Sequence, residues 1–220
     1  MAKLGNTKTS TIKKSIWIFF GLGLIGIAIP WSREFFITLL PVSYLFSLMV
    51  LLIMDRSDLK KVIPFFVIVF CAIFFVEVVG VKTGKIFGEF AFGASMGPKI
   101  LETPLLIGAN WLILLYCATI IASGYTKNRY FVSFLVAVLM VVFNFILEKP
   151  AGYLDMWEWT GKYIPMQNFL AWFGISWVLG GSLQLLKPKM ENSVAASLFG
   201  AQMLLFFLLN IVFYIENGFA

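Results

Sequence analysis

Long apolar runs alternate with short polar segments along the whole of this 220-residue chain. Each run approaches the roughly 20 residues that an α-helix, rising about 1.5 Å per residue, needs to cross about 30 Å of hydrocarbon. The pattern therefore predicts an all-α, polytopic membrane helix bundle of about seven transmembrane helices, with residues 1–220 as a single integral membrane domain. The predicted spans are residues 16–31, 35–53, 62–80, 104–123, 130–147, 167–186 and 194–215.

Composition supports this class and a retained N-terminal anchor. Hydrophobic residues make up 60% of the chain and charged residues 13%, more apolar than a soluble core of this size would hold. The first run follows a lysine-rich arm, residues 1–14, as a signal sequence would. Pro30 and Trp31 come after it, however, in place of a small-residue cleavage site. We expect a cytoplasmic arm followed by a span.

Charge predicts the orientation in the inner (cytoplasmic) membrane. With seven spans, one set of polar segments holds 11 of the 17 Lys and Arg residues, so the positive-inside rule places the N-terminus inside and the C-terminus outside. Most carboxylates fall on the other side. The net charge of +6 therefore describes topology, and no nucleic-acid partner is expected. The 11 basic residues are Lys3, Lys8, Lys13, Lys14, Arg56, Lys60, Lys61, Lys127, Arg129, Lys187 and Lys189.

Residue types missing from the sequence exclude several kinds of chemistry. The chain has no histidine, which excludes His-box di-iron enzymes, His-ligated haem and a histidine base. Its two cysteines, Cys71 and Cys117, fall within apolar spans and are interpreted as packing residues. No nucleotide-binding glycine motif is present. We expect neither a metal site nor an organic cofactor.

Two stretches, residues 77–111 and 148–172, concentrate polar chemistry where apolar runs end. Each begins with a carboxylate, Glu77 or Glu148, and continues through a loop rich in aromatic residues to a Pro, an Asn and a Trp. A charged carboxylate is disfavoured at both places, because the C-terminal end of the helix dipole is negative and hydrocarbon lies alongside. An acid held neutral can donate a proton, so both are candidate general acids. The alternative is an interfacial glutamate that reaches water or pairs with a neighbouring lysine.

Asp155 is the third candidate catalytic acid. It precedes Trp157 and Trp159, and it could act as a base or water-positioning group under an aromatic lid. It could equally be a solvated loop residue. The other aromatic candidates for a substrate site are Phe87, Trp111 and Trp172.

Three amides lie within or beside the predicted spans. Asn144 precedes Glu148 by four residues and so shares its helix face, Asn110 lies inside the fourth span, and Asn168 opens the sixth. Such amides can hold a water or orient an acid, and they also serve as interhelical hydrogen bonds. If they converge with the acids, a site is indicated.

Short motifs in a fixed order between residues 70 and 180 carry a family resemblance. They are Glu77-Val-Val-Gly80, Gly84, Phe87-Gly88, Gly97, Pro104-Leu-Leu-Ile-Gly, Asn110-Trp111, Glu148, Asp155, Trp157-Glu-Trp159, Ile164-Pro165, Asn168-Phe169 and Trp172-Phe173. Together they resemble the membrane carotenoid biosynthesis proteins that include the acyclic-end carotenoid hydratases. Phe90 and Phe92 depart from the pattern, since the family often has tyrosines there.

The resemblance implies addition of water to the terminal C1–C2 double bond of a linear carotenoid. Protonation of that alkene gives a tertiary cation that water captures, which requires an acid, a held water and aromatic walls but no redox cofactor. The expected partners are the linear carotenoid, the bilayer and, as a further possibility, other carotenoid enzymes. A carotenoid end-group cyclase is the nearest alternative, and a small membrane transporter or assembly partner is the non-enzymatic one.

Overall fold

The computed structural model describes residues 2–55, 59–161, 163–186 and 191–218, without the side chains of 2–7, 59–62, 65 and 183–186. The described chain is an all-α bundle with short strands in two loops, which confirms the predicted fold class. The helices are α1 Ala2–Ala28, α2 Pro30–Thr38, α3 Leu40–Met54, α4 Leu59–Thr83, α5 Leu105–Tyr125, α6 Arg129–Tyr153, α7 Met166–Leu186 and α8 Ala195–Asn217. The strands are β1 Phe90–Phe92, β2 Lys99–Ile100, β3 Thr103–Pro104 and β4 Trp157–Trp159.

Within the described residues, five helices are long and apolar enough to cross a membrane, and the bent pair α2 and α3 would make a sixth span. α7, which is not among these candidate spans, packs antiparallel to α6. At one end Asn168 donates a hydrogen bond to Glu148. Towards the other end a Cβ added to Gly180 would come within 3.2 Å of Val136 Cγ1.

The first two predicted spans differ in detail from the observed helices. α1 begins at Ala2, so the arm predicted over residues 1–14 is helical from that residue. The span predicted over residues 35–53 is two helices bent by 54° about Leu39. Pro41 lies in the first turn of α3, where it lacks an N–H to continue the preceding helix and its ring would clash with the carbonyl four residues back.

The polar segments lie at two ends of the bundle, and at each end a contact joins residues that are distant in sequence. Arg33, in α2, pairs with Glu216, in α8, at 2.6 Å. At the opposite end Asp55 forms an isolated bridge with Asn192. The assignment of these ends to the cytoplasm and the exterior stays a prediction, and three of its basic residues, Arg56, Lys187 and Lys189, lie outside the described residues.

α5 is the central helix of the bundle. It packs against α3, α4, α6, α7 and α8, and most of its residues are buried, including Trp111 and Tyr116. A helix that is apolar on all sides belongs in such a position. Its N-terminal end lies beside the C-terminal ends of α4 and α6, so the two predicted acids converge there.

The two aromatic loops pair at this same end of the bundle. β1 and β4 form an antiparallel ribbon in which Phe90 is opposite Trp159 and Phe92 is opposite Trp157. Gly88, which leads into β1, has a φ of +108°, and a Cβ there would lie 2.6 Å from Pro165 Cγ. The glycine is therefore required both by its backbone conformation and by close packing of the loops.

Candidate active site

A small cavity lies beneath the β1–β4 ribbon, at the N-terminal end of α5. Its water-accessible volume is about 20 Å³, which is room for about one water molecule. Both predicted glutamates line it, together with aromatic side chains and one amide. The lining residues are Glu77, Phe87, Phe90, Phe92, Ile107, Glu148, Trp157, Trp159, Asn168 and Trp172.

Glu77 projects from the second-last turn of α4 and is 3% exposed. Trp111, on α5, donates a hydrogen bond from Nε1 to Glu77 Oε1 at 2.8 Å. The Trp111 ring stacks on Trp172 of α7, with centroids 3.9 Å apart and planes 25° from parallel. Three helices thus fix this indole, and among the described residues it is the one hydrogen-bond donor to Glu77.

Glu148, near the end of α6, is 5% exposed and accepts three hydrogen bonds. Its Oε2 accepts from Trp159 Nε1 at 2.9 Å and from Trp157 Nε1 at 3.2 Å. Its Oε1 accepts from Asn168 Nδ2 at 2.6 Å. All three partners are N–H donors, and an ionised carboxylate, which only accepts, suits such a set.

Asn144 lies one helical turn before Glu148 and is 0% exposed. Neither its Nδ2 nor its Oδ1 makes a well-formed hydrogen bond to a described residue, although the amide is close enough to the Glu148 carboxylate to interact with it. Asn110 Nδ2 and Ser176 Oγ are also buried without a hydrogen-bond partner among the described residues. Buried polar groups are nearly always bonded to protein or to ordered water, so Asn144 has the bonding capacity to hold a water.

Aromatic rings enclose the cavity from the ribbon side. Phe90 makes edge-to-face contacts with Phe87, at 6.1 Å between centroids, and with Phe92, at 5.1 Å. It also packs at 5.2 Å against Trp159. The rings exclude bulk solvent from the two carboxylates and surround the cavity with π systems, whose faces are electron-rich.

Asp155 has a different environment. Its Oδ2 accepts a hydrogen bond from the backbone N–H of Ala94 at 2.8 Å, and its carbonyl accepts from Ser95 Oγ at 2.7 Å. Its φ is +52°. The residue joins the β1 and β4 loops and is not part of the cavity lining.

The structure brings together most of the residues predicted from the sequence. Seven of them line the cavity: Glu77, Phe87, Glu148, Trp157, Trp159, Asn168 and Trp172. Trp111 does not line the cavity but donates a hydrogen bond to Glu77, and Asn144 lies one helical turn from Glu148. Asn110 and Asp155 are not part of the cavity lining. Among the described residues no group of three or more Cys, Asp and Glu could hold a metal ion.

Three lining residues were not predicted as site residues: Phe90, Phe92 and Ile107. The alternation Phe-Ala-Phe in one loop matches Trp-Glu-Trp in the other. That matched alternation is the signal of a two-stranded pair with one aromatic face. In β4 Trp157 is buried while Glu158 is exposed, as the extended alternation predicts.

A family model described as "Carotenoid biosynthesis protein" matches residues 36–219. The chain belongs to this family. The resemblance carried by the motifs between residues 70 and 180 is thereby confirmed, and the match extends it to the helices on either side.

One relative within the curated proteins is named bisanhydrobacterioruberin hydratase, from Haloarcula japonica. It is 31% identical over 124 residues, which are 50% of this chain and 39% of the relative. The chain therefore spans about two fifths of that relative's length. No solved structure matches the chain.

Proposed function

We propose that this protein is a carotenoid hydratase that adds water to the terminal C1–C2 double bond of a linear carotenoid. The observation that carries the proposal is the pair of buried carboxylates, Glu77 and Glu148, that line one cavity of about 20 Å³. An acid, a base and a single confined water are the components that hydration of an alkene requires. Family membership and the hydratase name of the Haloarcula relative support the same chemistry.

The two carboxyl groups differ in their hydrogen-bond partners, which suggests different roles. Three N–H donors around Glu148 favour its ionised form. Glu77 receives one such bond, so one oxygen remains to carry a proton. We assign Glu77 as the general acid and Glu148 as the base, an arrangement in which environment separates two similar groups.

Protonation begins the reaction. The Glu77 carboxyl proton adds to C2 of the terminal alkene, whose π electrons form the new C–H bond, and C1 becomes a tertiary cation. The faces of Phe87, Phe90 and Trp159 and the negative charge on Glu148 stabilise that cation.

Water capture completes the reaction. The water oxygen bonds to C1 and loses one proton to Glu148, giving a tertiary alcohol. Return of that proton from Glu148 to Glu77, across the cavity that they share, restores the starting state. The net change is alkene plus water to alcohol, so no electron acceptor or cofactor is required.

Asn144 acts in this scheme as a positioning residue. Its unpaired Nδ2 and Oδ1 can bind a water beside Glu148, since both belong to one face of α6. A water held in this way is already oriented when the cation forms, which lowers the entropic cost of capture.

The cavity in its present form fits a water and is too small for an isoprenoid end group. Entry of the substrate therefore requires displacement of aromatic side chains in the ribbon. Phe90 is the best placed to move, because it lies between the other ring contacts and is only partly buried. Closure of the rings over the substrate would then exclude further water.

Two other functions make contrasting predictions for products. A cyclase would form the same cation, and a neighbouring double bond would capture it. The room for a water beside Glu148 favours hydration over that outcome. A transporter or assembly partner would leave the carotenoid unchanged.

Expression of the chain in a host that accumulates a linear carotenoid tests the proposal. We expect a product heavier by one water per modified end, and absent from cells that express Glu77→Gln at the same level. An isomer of unchanged mass would indicate a cyclase, and no product from well-inserted protein would overturn the enzymatic function.

A further inference from the structure

An apolar groove lies at the surface between α3, α4 and α5. Its water-accessible volume is about 360 Å³, many times that of the cavity at the two glutamates. All its side chains are hydrocarbon or aromatic apart from the phenol of Tyr116. The lining residues are Leu48, Leu51, Leu52, Ile63, Phe66, Val67, Phe70, Leu112, Ile113 and Tyr116.

The groove is in line with Glu77 along α4. Phe66, Phe70 and Glu77 are spaced four and seven residues apart, a spacing that places all three on one helix face. Phe66 lies about 16 Å below Glu77 at about 1.5 Å of rise per residue. An extended molecule lying in the groove would therefore point along this face towards the carboxyl group, with the buried side chain of Ile73 between them.

Phe70 and the first turn of α5 lie between the groove and the cavity. Phe70 lines the groove, and its ring packs so closely on Gly108 that a Cβ there would lie 2.8 Å from it. Ile107, the preceding residue of α5, lines the cavity. Helix α5 thus contributes to both spaces, with Ile107 lining the cavity and Leu112 and Ile113 lining the groove.

We propose that this groove binds the polyene chain of the linear carotenoid while the end group reacts between Glu77 and Glu148. The proposal rests on the proposed hydratase function and adds a second binding site to it. A conjugated chain is rigid, so it loses little conformational entropy on binding in an apolar groove. The groove would account for recognition of a long substrate by a site that contacts only its end.

A second apolar groove offers a matched comparison. It lies among α1, α2, α3 and α8, has a water-accessible volume of about 290 Å³ and includes Val42 in its lining. Neither groove shares a lining residue with the cavity. The two grooves are similar in size and polarity. They differ in that the first has a lining residue, Phe70, that packs against Gly108, next to the cavity residue Ile107.

Filling each groove with the same substitution tests the proposal. Val67 is 56% exposed and Val42 is 48% exposed, so Val67→Trp and Val42→Trp add equal bulk to equally accessible positions. We expect Val67→Trp to lower conversion of the linear carotenoid by about tenfold or more. Val42→Trp should leave conversion within about twofold of the unmodified protein, and Leu52→Trp, on the opposite wall of the first groove, should repeat the loss.

Binding provides a readout that does not depend on turnover. In a Glu77→Gln background, we would measure the carotenoid that co-purifies with the protein from its visible absorbance per polypeptide. Val67→Trp should reduce that ratio and Val42→Trp should not. Equal pigment in both variants, or equal loss in both, would overturn the groove as the polyene site.

A short acyclic terpene with the same end group distinguishes this proposal from the proposed function. It reaches the glutamates without filling the groove, so Val67→Trp should spare its hydration. Loss on the short and long substrates alike would mean that the substitution disturbs the site, which overturns the groove. Absence of hydration of either substrate by the unmodified protein would instead overturn the hydratase.

Discussion

Trp111 Nε1 lies 2.8 Å from Glu77 Oε1, and this single bond fixes the acid of α4 to the central helix. The Trp111 ring, which carries the donor N–H, stacks on the ring of Trp172. Glu148, by comparison, is held by three donors from its own loop and from α7. The contrast between one donor and three is the basis on which we assign different roles to the two acids.

Trp111→Phe should lower hydration by about tenfold, because it removes the donor that orients Glu77 while keeping a ring against Trp172. Thermal unfolding of the purified protein should change little. Trp111→Leu is the control, since it also removes the stacking and should lower the unfolding temperature. Unchanged turnover in Trp111→Phe would mean that the bond serves packing alone.

Asn144→Leu should separate stability from activity. Leucine removes two buried polar atoms that lack well-formed hydrogen bonds and, with them, an interaction with Glu148, so the free energy of unfolding should change by no more than about 1 kcal/mol. Hydration should nevertheless fall by at least about tenfold if the amide orients the water.

Ser176→Ala is the control for this experiment. It removes another unpaired buried group on α7, away from the cavity lining, and should leave hydration unchanged. A comparable loss in both variants, or a large loss of stability in Asn144→Leu, would contradict the proposed role of Asn144.

Asp155 should prove structural when two substitutions are compared. Asn keeps an oxygen that accepts from Ala94 N–H, and it tolerates the φ of +52°. We expect Asp155→Asn to keep hydration within about twofold. Asp155→Ala loses the bond and should destabilise the loops by about 1–3 kcal/mol, measured by thermal unfolding. Loss of turnover in a stable Asp155→Asn protein would restore this residue to the catalytic set.

The sequence allowed the bundle and much of the site to be predicted because the signals involved are local. An apolar run ending in Glu77 or Glu148 marks the place of each acid, and the position of Asn144 relative to Glu148 follows from helix geometry. The break at Leu39 was missed, although Pro41 marks it, because the apolar run continues across the proline.

Contacts between distant segments were not predictable in the same way. The ring of Trp111 reaches Glu77 across 34 residues of sequence, and it does so only in one register of α4 against α5. The ribbon pairs Phe90 with Trp159 through loops whose approach depends on helix packing. For the same reason Asp155 looked like a site residue: its neighbours in sequence face the cavity while its own carboxylate binds the other loop.

Orientation in the membrane remains a prediction from the distribution of basic residues. A reporter fused at Lys127 should be cytoplasmic, and one fused after Ala220 should be external, because the lysine- and arginine-rich segments stay inside. The location of each fusion point would be measured with two reporter enzymes, one that is active only in the cytoplasm and one that is active only outside it. A cytoplasmic C-terminus would remove the seven-span topology and reverse the side on which the site lies.

Glutamine substitutions at the two acids should have different effects on stability. In Glu77→Gln the side-chain oxygen can still accept from Trp111, so the protein should fold and insert normally. In Glu148→Gln one oxygen is replaced by an NH₂ group, which cannot accept from the N–H donors that face both carboxylate oxygens. We expect Glu148→Gln to lower the unfolding temperature, with a cost of about 1–3 kcal/mol for the mismatched buried donors.

Both glutamine variants should lose hydration, and the combination of measurements identifies the proton donor. Glu77→Gln preserves shape and hydrogen bonding but cannot deliver a proton, so turnover should fall by about 10²-fold or more at unchanged stability. Co-purified carotenoid should be retained, because substrate binding does not require the proton. Near-normal turnover by well-inserted Glu77→Gln protein would show that Glu77 is structural, and the role of general acid would then pass to Glu148.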